Sequence, residues 1–298
     1  MFGHTTTISL VLGGGGARGL AHIGVIQWLL ENGYAIRSIA GASMGALVGG
    51  IYAAGKLGVY ADWVCTLERL DVLRLLDPSF GRAGLFKGDR LMAVLRKLIG
   101  DCSIQELPMP YTAVATDLDS GREVWLREGR LFDAIRASIA VPLIFTPFVH
   151  HGRRLVDGGL VNPIPVDAAL EAGTDLTVAV DLSARRESGL AAPASQPPRG
   201  NVPRSSIFDV ALASMDTMQN AIARLKVAAC APDITVEIPR NACGFHEFWR
   251  AAEIIALGRE RAAQAFAASD NAEREKRPSE RLIASGQLPE PVAASAKS

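Results

Sequence analysis

The first half of the chain alternates short apolar segments with longer segments of helical periodicity. Residues 8–12 are apolar and lead directly into a run of glycines, which predicts a buried strand that ends in a turn. Apolar side chains then recur at helical spacing over residues 20–32, and an Asn-Gly pair ends this helix. A strand over 37–40 and a helix over 44–54 repeat the order. Alternating strands and helices with short connections favour a parallel sheet covered by helices.

The rest of the chain continues this pattern. We predict helices over 62–76, 90–98, 133–139, 207–227 and 247–266, and strands over 111–116, 123–126, 154–156, 175–181 and 234–236. The stretch 184–206 is rich in proline, alanine and serine, which predicts a mobile loop. Residues 269–298 mix charge with proline and are predicted to be a polar C-terminal tail. The simplest interpretation is one α/β domain over residues 6–268.

Composition and charge exclude several classes of protein. Of the 298 residues, 49% are apolar, and the mean hydropathy of +0.19 excludes a mainly disordered chain. The 31 basic and 31 acidic residues balance, so no global basic field attracts nucleic acid, and we predict no nucleic-acid partner. No apolar run reaches the ~18 residues of a membrane span, and the N-terminus lacks the basic region of a secretory signal. The four cysteines lack metal-ligand spacing, which predicts reduced thiols in a cytoplasmic protein.

A serine lies between the second predicted strand and the second predicted helix, in the sequence Gly41-Ala42-Ser43-Met44-Gly45. A serine at such a corner is held in a strained backbone conformation that presents its hydroxyl above the sheet. Glycines two residues away on either side let strand and helix cross closely. This context favours a nucleophile, but serine is also a good helix cap. The turn alone leaves both interpretations open.

A glycine run follows the first predicted strand and contains Gly14-x-Gly16-x-x-Gly19. This spacing matches the dinucleotide-binding fingerprint, but the acidic residue expected at the end of the second strand is absent. The alternative is an oxyanion loop, in which small residues let backbone N–H groups converge on one developing negative charge. Arg18 is then a residue that shapes the loop, a contact for a phosphate-bearing substrate, or a surface arginine.

A nucleophilic serine needs a base, and the histidines are poorly placed to supply one. His246 lies at a predicted helix start, and His22 on the first helix is predicted to be a packing residue. Asp157 ends a short predicted strand and precedes Gly158-Gly159, so the chain can turn sharply and aim the carboxylate at a neighbouring strand end. A carboxyl with a pKa near 4 needs partial desolvation to act as a base. The alternative is an ordinary Asp-Gly turn.

Taken together, the three motifs at 14–19, 41–45 and 157–159 resemble those of the patatin-like phospholipase family. Further stretches resemble its bacterial members: residues 19–25, 137–142 and 157–165. The resemblance covers about residues 8–181, and the role of the region after 183 stays open. It implies a three-layer α/β/α fold with a mainly parallel central sheet.

The resemblance also implies a reaction and the residues that perform it. Ser43 is the implied nucleophile and Asp157 the implied proton acceptor, in a Ser-Asp dyad that needs no metal or cofactor. The implied oxyanion hole consists of backbone N–H groups of Gly14, Gly15, Gly16 and Arg18. The glycines that shape the motifs are Gly19, Gly41, Gly45, Gly158 and Gly159. We therefore expect a serine hydrolase of lipid carboxylic esters, with a lipid or ester as its substrate.

Three alternative functions and two open segments accompany this expectation. The alternatives are an acyltransferase, a non-catalytic regulatory protein on the same fold, and a nucleotide-dependent oxidoreductase. The predicted helix that contains residues 248–257 has an apolar face, which either packs in the core or makes peripheral contact with the inner face of a membrane. The leucine-rich segment 59–86 is a candidate lid or wall of an acyl pocket.

Overall fold

An eight-stranded, mostly parallel sheet forms the centre of the structure, a computed structural model that describes residues 5–79, 84–188 and 206–284. The strand order is β5-β6-β3-β2-β1-β7-β8, and β4 pairs with β3. The neighbours from β3 through β2, β1 and β7 to β8 are parallel, whereas β4, β5 and β6 pair antiparallel. The strands are β1 (Thr7–Leu12), β2 (Ala35–Ala42), β3 (Tyr111–Asp117), β4 (Glu123–Leu126), β5 (Phe148–His150), β6 (Arg153–Asp157), β7 (Leu176–Ala184) and β8 (Ile234–Pro239).

Helices cover both faces of the sheet, so the predicted three-layer α/β/α fold is confirmed. Alternate residues of β1 show the two layers, because Leu10 packs in the large core with α1, α2 and α8, and Val11 packs in a smaller core on the opposite face. The helices are α1 (Ala21–Glu31), α2 (Met44–Ala53), α3 (Leu57–Cys65), α4 (Arg69–Arg74), α5 (Asp89–Ile99), α6 (Leu131–Ser138), α7 (Ile207–Cys230) and α8 (Ala251–Ala284). None of the helices described is long and apolar enough to cross a bilayer.

The structure corrects three of the predicted elements. The single helix predicted over 62–76 is two helices, because Glu68 and Asp71 form a capping box that starts α4 as a separate element. Strand β5 was not predicted, since its three residues are too few to show a period. The last helix does not end near residue 266, because α8 continues to Ala284. Residues 272–277 within this extension are alanine, glutamate, arginine and lysine, which favour helix.

Two other expectations concern the second half of the chain. Most of the mobile loop predicted over 184–206 lies outside the described residues, as does the end of the tail. The apolar face of the helix after residue 248 packs in the core, where Ile254 is fully buried and Ile255 and Leu257 are nearly so. The core alternative is therefore confirmed for these three side chains, whereas Phe248 and Trp249 are half-buried. The division into one domain over 6–268 and a tail stays a prediction.

Helices α1 and α8 pack with their backbones in close contact. A Cβ atom on Gly24 of α1 would lie 1.9 Å from the carbonyl oxygen of Ile255, and one on Gly258 of α8 would lie 2.1 Å from that of Ala21. Neither position can hold a side chain unless the helices move apart. This contact fixes α8 beside the helix that follows the glycine run.

We predict that Gly24→Ala lowers the free energy of unfolding by about 1–3 kcal/mol, because the added methyl group forces the two helices apart. The matched control is Gly58→Ala in α3, an exposed position where a Cβ has no neighbour within 4 Å. There the higher helix propensity of alanine should leave stability unchanged or raise it by up to about 1 kcal/mol. Urea unfolding of both variants measures the difference, and equal stabilities would contradict the close packing.

Candidate active site

Ser43 occupies a sharp turn between the end of β2 at Ala42 and the start of α2 at Met44. Its backbone has φ 55° and ψ −123°, a strained conformation for a residue with a side chain. A Cβ on Gly45 would lie 1.9 Å from the Leu12 carbonyl oxygen, and one on Gly41 would lie 2.4 Å from the carbonyl carbon of Gly45. Only glycine fits at these two crossings, as the sequence predicted.

Asp157 ends β6 beside this turn, and its carboxylate reaches the serine. The Ser43 hydroxyl donates to Asp157 Oδ2 at 2.6 Å, across 114 residues of sequence. The other carboxylate oxygen, Oδ1, accepts from the Gly159 backbone N–H at 2.7 Å. A Cβ on Gly158 would lie 2.1 Å from the Val114 carbonyl oxygen, so glycine is required where the chain passes β3. The structure thus brings the two predicted dyad residues into direct contact.

Burial changes the acidity of this carboxyl. Asp157 is 2% exposed, and loss of hydration raises its pKa from 3.8 to about 6. The hydrogen bonds from Ser43 and Gly159 favour the ionised form and oppose this rise. At neutral pH the group is therefore ionised, yet it is a stronger base than an exposed aspartate. This rise in pKa on burial is the effect that a carboxylate needs to act as a base near neutral pH.

Ser138 of α6 supports the turn, and sequence reasoning assigned it no role. Its hydroxyl accepts from the Ser43 backbone N–H at 2.9 Å and donates to the Val114 carbonyl at 2.6 Å. The side chain is fully buried. The hydroxyl joins the strained turn to β3, the strand that also pairs with the Asp157 strand. Ser138 lies in the stretch 137–142 that resembles the family, and this was the only signal that marked it.

The glycine run approaches Ser43 closely, although the N–H of Gly14 already has a hydrogen-bond acceptor within the protein. A Cβ on Gly14 would lie 3.2 Å from the Ser43 Cβ, which explains the small residue there. The Gly14 N–H donates to the Pro163 carbonyl at 2.9 Å, so its predicted place in the oxyanion hole is wrong for this conformation. A 3-10 segment begins at Gly16, and the first N–H groups of a helical segment have no acceptor within it. The N–H groups of Gly15 and Gly16, with that of Arg18, therefore remain the candidates.

Arg18 is buried rather than on the surface, because its guanidinium binds groups of the protein. It donates to the carbonyls of Gly15 and Arg240, each at 3.1 Å, and to the Asp216 carboxylate at 2.9 Å. With only 5% of the residue exposed, this side chain shapes the glycine loop and ties it to α7. The role of its backbone N–H in an oxyanion hole stays a prediction.

The neighbouring residues His22 and Gly19 complete the packing around the loop. His22 Nε2 lies 2.8 Å from the Gly13 carbonyl oxygen, and burial lowers the histidine pKa to about 4, so the ring is neutral. The prediction that His22 is a packing residue is confirmed. A Cβ on Gly19 would lie 2.4 Å from that of Met44, so this glycine allows the loop to contact the start of α2.

An apolar cavity of about 120 Å³ lies against Ser43 and Gly16. Seven residues of the segment 59–86 line it, together with side chains from α5, the loop after α6 and the loop before α8. The lining residues of α3 and of α4 with its flanks are Tyr60, Trp63, Val64, Leu67, Val72, Leu75 and Leu76. This agrees with the pocket-wall alternative for that segment. Within the described ranges, no three metal-ligating side chains cluster in a way that could hold an ion.

Comparison with known proteins identifies the family. Residues 10–170 match the patatin-like phospholipase family, and this chain belongs to it. An uncharacterised NTE family protein of Mycobacterium bovis is 38% identical over 329 aligned positions, which cover 88% of this chain and 91% of that protein. The human patatin-like phospholipase domain-containing protein 6 is 30% identical over 62% of this chain but only 14% of its own length. The family suggests lipid hydrolase activity.

A solved structure also resembles the fold. VipD from Legionella pneumophila aligns with a TM-score of 0.47 and 14% sequence identity, covering 89% of this chain and 67% of that chain.

We predict that Ser138→Ala destabilises the protein by about 1–3 kcal/mol, because the Ser43 N–H and the Val114 carbonyl each lose a partner in a buried place. The control Ser214→Ala removes a hydroxyl that bonds to the Val210 carbonyl on an exposed part of α7, and should change stability by less than about 0.5 kcal/mol. Denaturant unfolding compares the two. A Ser138→Ala variant as stable as the control would argue against the buried contact.

Proposed function

We propose that the protein is a serine lipid acyl hydrolase, of the phospholipase, lysophospholipase or carboxylesterase type, in which Ser43 is the nucleophile and Asp157 the base. The observation that carries this proposal is the 2.6 Å hydrogen bond from the Ser43 hydroxyl to Asp157 Oδ2. A serine alcohol is a weak nucleophile until a neighbouring group takes its proton. The desolvated carboxylate, whose pKa is about 6, supplies that group directly.

In the proposed first half-reaction, Ser43 Oγ attacks the carbonyl carbon of the ester while its proton passes to Asp157 Oδ2. The carbonyl oxygen becomes an oxyanion, which the N–H groups of Gly15 and Gly16 stabilise. The C–O bond to the alcohol then breaks, and Asp157 returns the proton to the leaving oxygen. An acyl group remains on Ser43.

In the second half-reaction, water replaces the alcohol. Asp157 accepts a proton from the water as its oxygen attacks the acyl carbon, and the same N–H groups hold the second oxyanion. Collapse of this intermediate breaks the bond to Ser43 Oγ, which regains its proton from Asp157. The products are a fatty acid and the free enzyme, with no group consumed besides water. An alcohol in place of this water would make the protein an acyltransferase.

The surroundings of Ser43 support a lipid as the substrate. The cavity beside the hydroxyl is lined almost entirely by apolar side chains, which suits an acyl chain and disfavours a charged group. The positive end of α2 points at the turn and favours negative charge near Oγ. We therefore assign the acyl chain to the cavity and the reacting carbonyl to the space between Ser43 and the glycine loop.

Removal of the Ser43 hydroxyl tests the nucleophile. We expect Ser43→Ala to lower the turnover of a chromogenic short-chain ester by about a thousandfold or more and to abolish labelling by a fluorophosphonate probe. The exposed Ser214→Ala should retain the activity and labelling of the wild type. Wild-type turnover in Ser43→Ala would defeat the proposal. Absence of labelling in the wild type would favour the non-catalytic alternative.

The pH dependence of kcat/KM tests the base. Protonated Asp157 cannot accept the serine proton, so activity should rise as the pH increases through about 6 and level off above it. Asp157→Asn should lower kcat far more than it changes KM, whereas the exposed Asp62→Asn should keep the full profile. Rates that stay constant between about pH 5 and pH 7, or rise as the pH falls, would exclude this carboxyl as the base.

A further inference from the structure

Helix α4 separates the apolar cavity from solvent, and its own leucines point outward. Val72, together with Leu75 and Leu76 just after the helix, lines the cavity. Leu70 and Leu73 face away from it and are 61% and 62% exposed. They stand three residues apart and so share one face of the helix. None of the residues of α4 is buried, which is unusual for a helix with so many apolar side chains.

The loop after α6 shows the same arrangement at another part of the wall of this cavity. Val141 and Phe145 line the cavity, while Leu143 between them is 41% exposed. Leu143 has φ 71°, a backbone conformation that is costly for leucine, and its carbonyl accepts from the N–H of Leu85 at 3.2 Å. Leu85 is itself 51% exposed. We call Leu70, Leu73, Leu85 and Leu143 the apolar rim.

The charges around the apolar rim nearly cancel. Residues 68–90 of the sequence carry four acidic and five basic side chains, namely Glu68, Asp71, Asp77 and Asp89 against Arg69, Arg74, Arg82, Lys87 and Arg90. Several are engaged within the protein, since Asp71 pairs with Arg74 and Asp77 accepts three backbone N–H groups of residues 88–90. The rim therefore offers apolar contact with one excess positive charge, which is far fewer than the cluster of basic residues that selects anionic lipid.

We propose that the apolar rim docks the protein on a zwitterionic phospholipid bilayer, with Leu70 and Leu73 among the acyl chains. This inference rests on the proposed function, because the exposed Leu70, Leu73 and Leu143 belong to the same segments whose other residues line the cavity for the acyl chain. A protein partner seated on the rim would cover the wall of the cavity and hinder entry of a substrate. A bilayer instead supplies the acyl chain at the place where the rim is buried, so the chain reaches the cavity without crossing water.

Sedimentation with phosphatidylcholine vesicles tests the surface. The wild type should bind, and the double variant Leu70→Gln/Leu73→Gln should bind about tenfold more weakly or worse, since two leucines lose their apolar burial. The control is Met218→Gln/Leu225→Gln on α7, where the replaced side chains are 57% and 69% exposed. This control should bind within about twofold of the wild type.

Salt and lipid charge identify the source of the binding. Binding that is the same at about 0.1 M and 0.5 M salt supports apolar insertion, because charge attraction would be screened. Three results would overturn the proposal: no binding by the wild type, an equal loss in the α7 control, or binding confined to anionic vesicles and lost in salt. Equal thermal unfolding of all variants shows that the comparison concerns folded protein.

Hydrolysis measurements keep this proposal separate from the proposed function. Leu70 and Leu73 do not line the cavity, so the rim variant should hydrolyse a water-soluble short-chain ester at the wild-type rate. Its hydrolysis of phospholipid in vesicles should fall in step with binding. If the wild type hydrolyses no ester at all, the proposed function fails while vesicle binding still tests the rim. A rim variant that binds and hydrolyses vesicles like the wild type would overturn the docking surface.

Discussion

The hydrogen bond between Ser43 and Asp157 is the interaction on which the rest of the site depends. A carboxylate with 2% exposure loses most of its hydration, and its rise in pKa from 3.8 to about 6 corresponds to about 3 kcal/mol at neutral pH. This net cost already includes the hydrogen bonds from the serine hydroxyl and the Gly159 N–H, which offset part of the desolvation. Packing elsewhere in the fold must supply the free energy that offsets it, as is common at functional sites.

Backbone contacts, more than side-chain contacts, hold the two groups in place. Gly45 lies against the carbonyl of Leu12, and Gly158 lies against that of Val114. Each contact sets a loop directly on the end of a neighbouring strand. Because a packed backbone moves less than a long side chain, the serine and the carboxylate are held by the sheet itself. The buried Ser138 adds a side-chain contact between the turn and β3.

Local signals predicted the parts of this structure that local sequence controls. The first strand with the glycines after it, the turn around Ser43 and the Asp-Gly-Gly turn each combine a short apolar run with residues suited to tight turns, and all three are present. The sequence did not predict that Arg18 is buried or that Gly14 donates to Pro163, because both depend on partners more than 100 residues away. The role of Ser138 could not be predicted for the same reason, because its contact with Ser43 joins residues 95 positions apart and no periodicity reveals it.

Helix α4 of the leucine-rich segment has apolar side chains both toward the cavity and in the apolar rim, which faces solvent. A helix with apolar side chains on two opposite faces usually lies in a core, yet none of the residues of α4 is buried. Its inward side chains are needed to keep the space beside Ser43 free of charge, and its outward leucines then remain in contact with water at a cost in free energy. A water-soluble substrate would contact only the inward face of the helix, so its binding would leave the outward leucines exposed. A substrate held in a bilayer removes the outward leucines from water at the moment it enters, so both faces of the helix become useful together.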